Sequence, residues 1–528
     1  GSNLNRGIYL SGLNTMITSE GGNVTVVGQG TGTGAAGSSN GLLLVTQGMI
    51  TAGGSGTVSV TGTGGGGTGP NNSGISIQNA NTTIASSGGN VVVTGLGGGM
   101  STSSSNYGVE MMSGSILTSG ANGMLDVIGT GGATSGNANL GVVLTGNNTR
   151  ITSSGGDINV TGTGGGSGTS GSNYGVYVLN AAKIFPGGNG HAVIQGQGGT
   201  ASGASNSGVY LTGAGSQITS ANGNVTVTGT GGGSMGSAMN AGVLVDASAS
   251  IGASGIGNTT ITGQGGNTTG NSNYGVFVSN GNAMITASQG DINIMGQGGG
   301  NGTSGFNFGV NISTQGIVDA NGSGNIFISG SGGISSGASN VGIALGGPGA
   351  SVLSDTGNIT MIGEEGGGSS GLGFLMSAGT TVSSVAGGIK VSANTVDIFG
   401  NIQASSLDTT QLFPYDAGIR IELSNSANVT GGPLRLSDTK LDMISTGVLT
   451  IGHPTCDTIL VEIPVTRSTT TDVYLITSGD VIFNPGTINT NGGNLLLDPG
   501  PSPMAVKPIT SGLEITVDTL SFGSDLAI

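Results

Sequence analysis

Gly7-Ile8-Tyr9-Leu10-Ser11-Gly12-Leu13-Asn14-Thr15-Met16-Ile17-Thr18-Ser19-Glu20-Gly21-Gly22-Asn23-Val24-Thr25-Val26-Val27-Gly28 holds three short apolar phrases separated by turn residues. The first and last alternate apolar and polar positions, the period-two mark of a strand with one buried face. The middle phrase is centred on Ile17. No stretch shows a 3.6-residue pattern, and the glycine density opposes helix.

The same stretch recurs along the chain. Its opening glycine returns as Gly41, Gly74, Gly108, Gly141, Gly175, Gly208, Gly242, Gly275, Gly309 and Gly342, with a degenerate copy at Gly373. Spacings alternate between 34 and 33, so Gly7, Gly74, Gly141, Gly208, Gly275 and Gly342 lie 67 residues apart and the unit is a pair of coils. The central Ile falls ten residues after the anchor in one member of the pair (Ile17, Ile84, Ile151, Ile218, Ile285) and nine in the other (Ile50), which places the alternation in a turn. A glycine follows every third phrase (Gly28, Gly62, Gly95 and onward), where positive φ or close backbone approach at a corner is expected. A flexible Gly/Ser/Thr stretch such as Gly164-Gly165-Gly166-Ser167-Gly168 then leads to the next anchor.

Three short strands per repeat, in register, make one coil of a β-solenoid, because a single coil cannot bury its own apolar face and stacked coils can. The expected fold is therefore all-β, a right-handed parallel β-helix of about 33.5 residues per coil (67 over two). Residues 1–379 form twelve regular coils, about 58 Å long at the spacing of paired strands. Positions 17 and 19 after each anchor (Val24 and Val26, Val91 and Val93, Val225 and Val227) should be buried, with Thr25, Thr226 and Thr260 facing out. The position before them reads Asn23, Thr57, Asn90, Met124, Asp157, His191, Asn224, Asn258, Asp291, Asn325 and Asn358, an asparagine ladder at a turn.

Beyond residue 380 the rhythm fades and charge rises: fourteen of the 24 acidic and six of the nine basic residues lie in 376–528. Strand alternation persists in Ile419–Leu423, Ile459–Ile463 and Leu513–Val517, so 380–528 reads as a less regular continuation of the solenoid or a C-terminal cap or interaction region. The final apolar residues Leu520, Phe522 and Leu526 are expected to close the last coil or to add to a neighbouring subunit.

A net charge of −15 argues against nucleic acid, which requires clustered Lys and Arg. No apolar run is long enough for a membrane-spanning helix. A lone Cys456 cannot form an intramolecular disulfide, and with no signal peptide visible the chain is expected to be an excised or processed piece of something larger.

No catalytic, cofactor-binding or metal-ligating residue is assigned. Glycoside hydrolysis needs two carboxylates roughly 5–10 Å apart. Asp157 and Asp291 share a column but stand four coils, about 19 Å, apart. Glu364-Glu365 reads as a solvated turn. His191 lies one coil after Asp157, which places its imidazole within reach of that carboxylate, yet the repeat fixes no nucleophile beside it. His453-Pro454-Thr455-Cys456 supplies metal-compatible types, but two ligands do not make a zinc site. Glycine-rich phrases such as Gly95–Gly99 open no helix and are not nucleotide loops. Asn-x-Thr sequences at Asn23, Asn81, Asn159, Asn224 and Asn358 arise mostly because Asn opens the corner phrase, and they are also acceptor sequences for N-glycosylation.

Phrases such as Ile151-Thr152-Ser153-Ser154-Gly155-Gly156-Asp157-Ile158-Asn159-Val160 and Ile488-Asn489-Thr490-Asn491-Gly492-Gly493-Asn494-Leu495 resemble the repeats of filamentous-haemagglutinin-like exoproteins and autotransporter passengers. That resemblance implies a bacterial origin, export across the outer membrane and an adhesive or filament-forming role. Neither the family's N-terminal secretion domain nor its C-terminal membrane barrel is visible, and these coils are longer than the family's. The leading expectation is a non-enzymatic structural or adhesive shaft of a bacterial secreted or cell-surface protein. It would hold a binding region away from the cell, or present repetitive Gly/Thr/Asn surfaces to a host or neighbouring cell. The alternatives are the protomer of an extracellular filament stacked end to end, suggested by a chain that opens on a full coil, and a polysaccharide-acting enzyme.

Overall fold

The computed structural model describes residues 4–368 and 370–499, and the backbone of 507–508, 515–516 and 519–522. The chain winds as a parallel β-solenoid with three sheets. The first sheet has 13 strands, from Ile8–Ser11 to Val396–Ile398, and the second has 14, from Met16–Ser19 to Ile444–Ser445. The third starts at Val24–Gln29 and adds one strand per coil as far as Thr519–Phe522. Every coil stacks in register on the last: Val142 opposes Val176, Ile151 opposes Ile184, and Ile158 opposes Ala192. No helix among the described residues is long and apolar enough to cross a membrane.

Burial follows the period-two pattern. Val24, Val26, Val91, Val93, Val225 and Val227 line the apolar core, Thr25 is exposed, and Thr226 and Thr260 are half-exposed. The exposed corner column is a ladder, in which the Asn, Asp and His side chains serve the backbone of the next coil. Thr57, Met124, Asn258 and Asn358 N–H groups donate to Oδ1 of Asn23, Asn90, Asn224 and Asn325, each at 2.9 Å.

The stretch expected to be flexible is instead a built element. After the third strand the chain leaves the triangular core as an arm and returns at the anchor glycine. The two glycines at its base touch: a Cβ on Gly162 would overlap the Gly175 carbonyl, and one on Gly175 would overlap the Gln197 amide. Neither has positive φ, so close approach is what selects glycine here. Arm backbones pair with the preceding arm, as Gly165 N–H to Asn139 O (2.7 Å) and Ser167 N–H to Thr134 O (2.8 Å).

Nine successive arms each enclose an asparagine two residues before the anchor, from Asn72 to Asn340, all 0 % exposed; Ser39 and Gly371 stand there in the first and last arms. They form a second ladder. Asn173 donates through its backbone N–H (3.2 Å) and its Nδ2 (2.9 Å) to Asn206 Oδ1, and Asn240 Nδ2 donates to Asn273 Oδ1 at 2.8 Å. Here an earlier coil donates to a later one, opposite to the exposed ladder. A hydroxyl completes seven of the nine cells, three residues before the asparagine in one arm type (Ser170 Oγ to Asn173 Oδ1, 3.0 Å) and five before it in the other (Thr134 Oγ1 to Asn139 Oδ1, 3.1 Å); Gly67 and Ala201 stand there in the arms of Asn72 and Asn206. This corrects the origin of the 34/33 alternation. From Gly28 to Gly41 is 13 residues and from Gly62 to Gly74 is 12, whereas anchor to third-strand glycine is 21 in both coils. The turn differences cancel, and the two arm types carry the double repeat.

The arm ends at Gly373. Successive first-sheet strands Phe374–Met376 and Val396–Ile398 start 22 residues apart, and the corner between coils shrinks to Ala393-Asn394-Thr395. The solenoid continues with one irregularity. Ile421–Leu423 pairs on one side with the later strand Leu434–Leu436 and on the other with Ile459–Val461. The second sheet stops at Ile444–Ser445, and a new three-stranded sheet begins at Pro464–Thr466. The buried Arg467 guanidinium seals that step by donating to the carbonyls of Leu441 and Ile444. Of the C-terminal apolar segment, Leu520 and Phe522 lie on a strand paired with Leu495 and Leu497; the rest, Leu526 included, lies outside the described residues.

The two ladders predict different costs. Asn206→Ala strands several buried partners and should lose about 3 kcal/mol, whereas Asn258→Ala at the wet corner should lose no more than ~1 kcal/mol. Thermal unfolding combined with hydrogen exchange at the Asn173 amide checks this. Equal losses would show that burial of the arm column is unimportant.

Candidate functional site

The acidic and histidine side chains singled out from the sequence do not meet. Asp157 Oδ1 accepts from the His191 backbone N–H (2.8 Å), and His191 Nδ1 accepts from the Asn224 N–H (2.9 Å), both exposed. The imidazole is thus a rung of the corner ladder and does not pair with the Asp157 carboxylate; the expected contact is replaced because each ring or carboxylate turns toward the unpaired amide of the next coil. Asp291 does the same for Asn325 (2.8 Å). Glu364 accepts from Ser331 Oγ. Glu365 accepts from Thr395 Oγ1 (2.8 Å) and Gly431 N–H (3.0 Å), fastening the last arm to the armless coils. That is a structural joint, where a solvated turn was expected. His453 stacks on Phe413 at 5.3 Å, while Cys456 is buried, its thiol pushed up to about 11 by desolvation. Among the described residues no group of three or more His, Cys, Asp or Glu could hold a metal ion.

A different constellation emerges on the outer side of the first sheet. The second residue after each anchor points outward on its strand, and the residue just before each anchor closes the neighbouring arm. The arm rises beside the sheet, so these two columns form the floor and wall of a groove parallel to the solenoid axis. Outward residues there are sheltered: Leu43, Ser76, Glu110, Val143 and Ala344 are all buried.

Aromatic residues gather in these two columns. The chain has only eight Tyr, and six of them (Tyr9, Tyr107, Tyr174, Tyr177, Tyr210, Tyr274) fall here. Tyr177 and Tyr210 stack at 4.9 Å with their planes 18° apart, and Tyr174 leans on both at 4.9 and 5.2 Å. Tyr274 meets Phe277 at 4.6 Å and Phe308 at 5.6 Å, two coils further on. A cleft of about 340 Å³ opens between Tyr107, Leu140, Val143, Tyr174 and Tyr177. Burial pushes Tyr107, Tyr174, Tyr177 and Tyr210 above the ordinary phenol range, so all four hydroxyls stay protonated at neutral pH.

Two carboxylates face this strip. Glu110, 8 % exposed, accepts from Ser76 Oγ at 2.6 Å, and burial raises its pKa against the opposing hydrogen bonds of Ser76 and Gln78. Asp246 accepts from Asn280 Nδ2 (2.8 Å) and Tyr210 Oη (3.4 Å). Glu110 and Asp246 are four coils apart, about 19 Å. No Lys or Arg occupies the groove columns between Gly108 and Gly309. The arrangement offers aromatic faces, neutral hydroxyls and isolated acceptors. The signal was present in the sequence as Asn106-Tyr107-Gly108, Asn173-Tyr174-Gly175, Asn273-Tyr274-Gly275 and Asn307-Phe308-Gly309, which only the arm geometry makes readable.

No family model, no curated protein and no solved structure matches this chain.

The buried acid gives a pH test. A raised Glu110 pKa means that its contribution to stability is full when the group is protonated and is lost as pH rises through the raised value. Glu110→Gln, which cannot ionise, should therefore unfold at a higher temperature than the unaltered protein at neutral pH, and the two should converge in acid. A difference independent of pH would refute the assignment.

Proposed function

We propose that this chain is a structural and adhesive shaft of a bacterial secreted or cell-surface protein, and that it carries out no catalysis of its own. The observation that carries the reading is the pair of side-chain ladders, the arm column running unbroken from Asn72 to Asn340 and the corner column from Asp157 to Asn358. Over the coils they share, the exposed corner and the arm core both tie each coil to the next. A coil laced on two edges as well as through three sheets resists bending, which suits a spacer that bears load. The lateral groove gives such a shaft a surface with which to engage a host or neighbouring cell. Its two carboxylates are too far apart for the paired-acid chemistry of glycoside hydrolysis, which favours binding over turnover.

Negative-stain microscopy of purified protein should show isolated straight rods, and beads coated with it should be retained on cell layers. Long fibres would favour the protomer of a filament, and rounded particles would overturn the shaft.

A further inference from the structure

We propose that the aromatic groove binds a neutral, extended oligosaccharide laid parallel to the solenoid axis, with its pyranose rings against Tyr174, Tyr177 and Tyr210. This rests on the adhesive reading and names the class of ligand. Three observations carry it. Tyrosine is scarce in the chain yet concentrated in two adjacent columns, which a purely structural use would not require, because Ser73 and Ser76 or Leu140 and Val143 fill the same places in other coils. The aromatic surface is continuous across the two coils that open at Gly175 and Gly208, with centroids at 4.9 to 5.2 Å.

The third observation is the match of shape and polarity. A straight strip repeating at about 4.8 Å per coil suits a straight chain advancing roughly one sugar ring per coil. The parts of the rings not covered by their neighbours offer the apolar side of a pyranose a surface, while phenol hydroxyls, Asp246 and Ser172 supply hydrogen-bond partners at its edge. Glu110 and Asp246, with no Lys or Arg in the same columns between Gly108 and Gly309, disfavour a polyanionic chain. Nucleic acid and acidic glycans are excluded on that ground.

The test uses the full chain and defined probes: cellohexaose, xylohexaose and chitohexaose as neutral oligomers, and an oligogalacturonate as the acidic counterpart. Titration calorimetry should detect at least one neutral probe and not the acidic one. Tyr177→Val and Tyr174→Ser place in each column a residue the fold already uses there (Val143, Ser207), so the solenoid should persist. Each should weaken binding about tenfold, as expected for the loss of one stacking face, while Thr228→Ala on the third sheet should change nothing. Binding of no neutral probe, preference for the oligogalacturonate, or affinity unaltered in both tyrosine variants would overturn the proposal. Bead retention on cells separates this from the shaft reading. Retention that survives Tyr177→Val and is not competed by the neutral oligomer leaves an adhesive shaft and overturns the groove. Tyrosine-dependent oligosaccharide binding without retention keeps the groove and overturns the adhesive role.

Discussion

The buried asparagine column is the constraint on which the rest of this structure depends. An arm of glycine, serine and threonine has almost no apolar surface to bury, so the hydrophobic effect that holds the three sheets cannot hold it. A carboxamide solves the problem because it carries a donor and an acceptor. Each one can accept from the coil before and donate to the coil after, at the same spacing as the strand ladders. Asn173, Asn206 and Asn240 do this with no exposed surface. Each cell costs an apolar contact and contributes a satisfied polar network; leaving one partner out is expensive precisely because the site is dry.

From the arm follow both the shape of the shaft and the location of its groove. The glycine pair at the neck lets the chain leave and re-enter the core without opening it, and the arm stack then stands as a ridge along the first sheet. Outward side chains on that sheet are consequently sheltered, unlike those of the third sheet, where Val27 and Thr228 face solvent. Where the arm is lost after Gly373, the coils shorten and the solenoid is held by sheets, corner bonds and new ion pairs such as Lys440–Asp397 at 2.9 Å.

Much of this was legible in the sequence. The period-two phrases, the anchor glycines and the coil spacing place all three sheets and their register, because a stacked coil repeats its constraints at fixed intervals and one misplaced residue would expose Val24 and bury Thr25. The arm was not legible, since Gly164–Gly168 has the composition of a flexible linker and only burial by its neighbours distinguishes the two. The place of His191 in the ladder was legible as well; what was not legible is that ladder side chains turn toward backbone amides and not toward one another. The out-of-order strand at Leu434–Leu436 has no periodic signal at all, because it occurs once.

The two groove columns show what a solenoid is free to vary. Core positions hold Val, Ile, Leu, Met, the occasional Phe and small residues, nine of the arms hold an asparagine that is mostly paired with a hydroxyl, and the neck holds glycine. The residue before the anchor and the second one after it are bound by none of these rules, and they range from Ser73 and Ser76 through Leu140 and Val143 to Tyr174 and Tyr177. A ladder that secures the coil elsewhere leaves these places open to whatever the surface must contact. Bulky aromatic rings then need a wall to shelter them from solvent, and the arm supplies it through residues such as Ala138 and Ser172. The asparagine column therefore permits tyrosine beside the ridge without requiring it: without an ordered arm there would be no sheltered strip in which half-buried rings could stack in a fixed line.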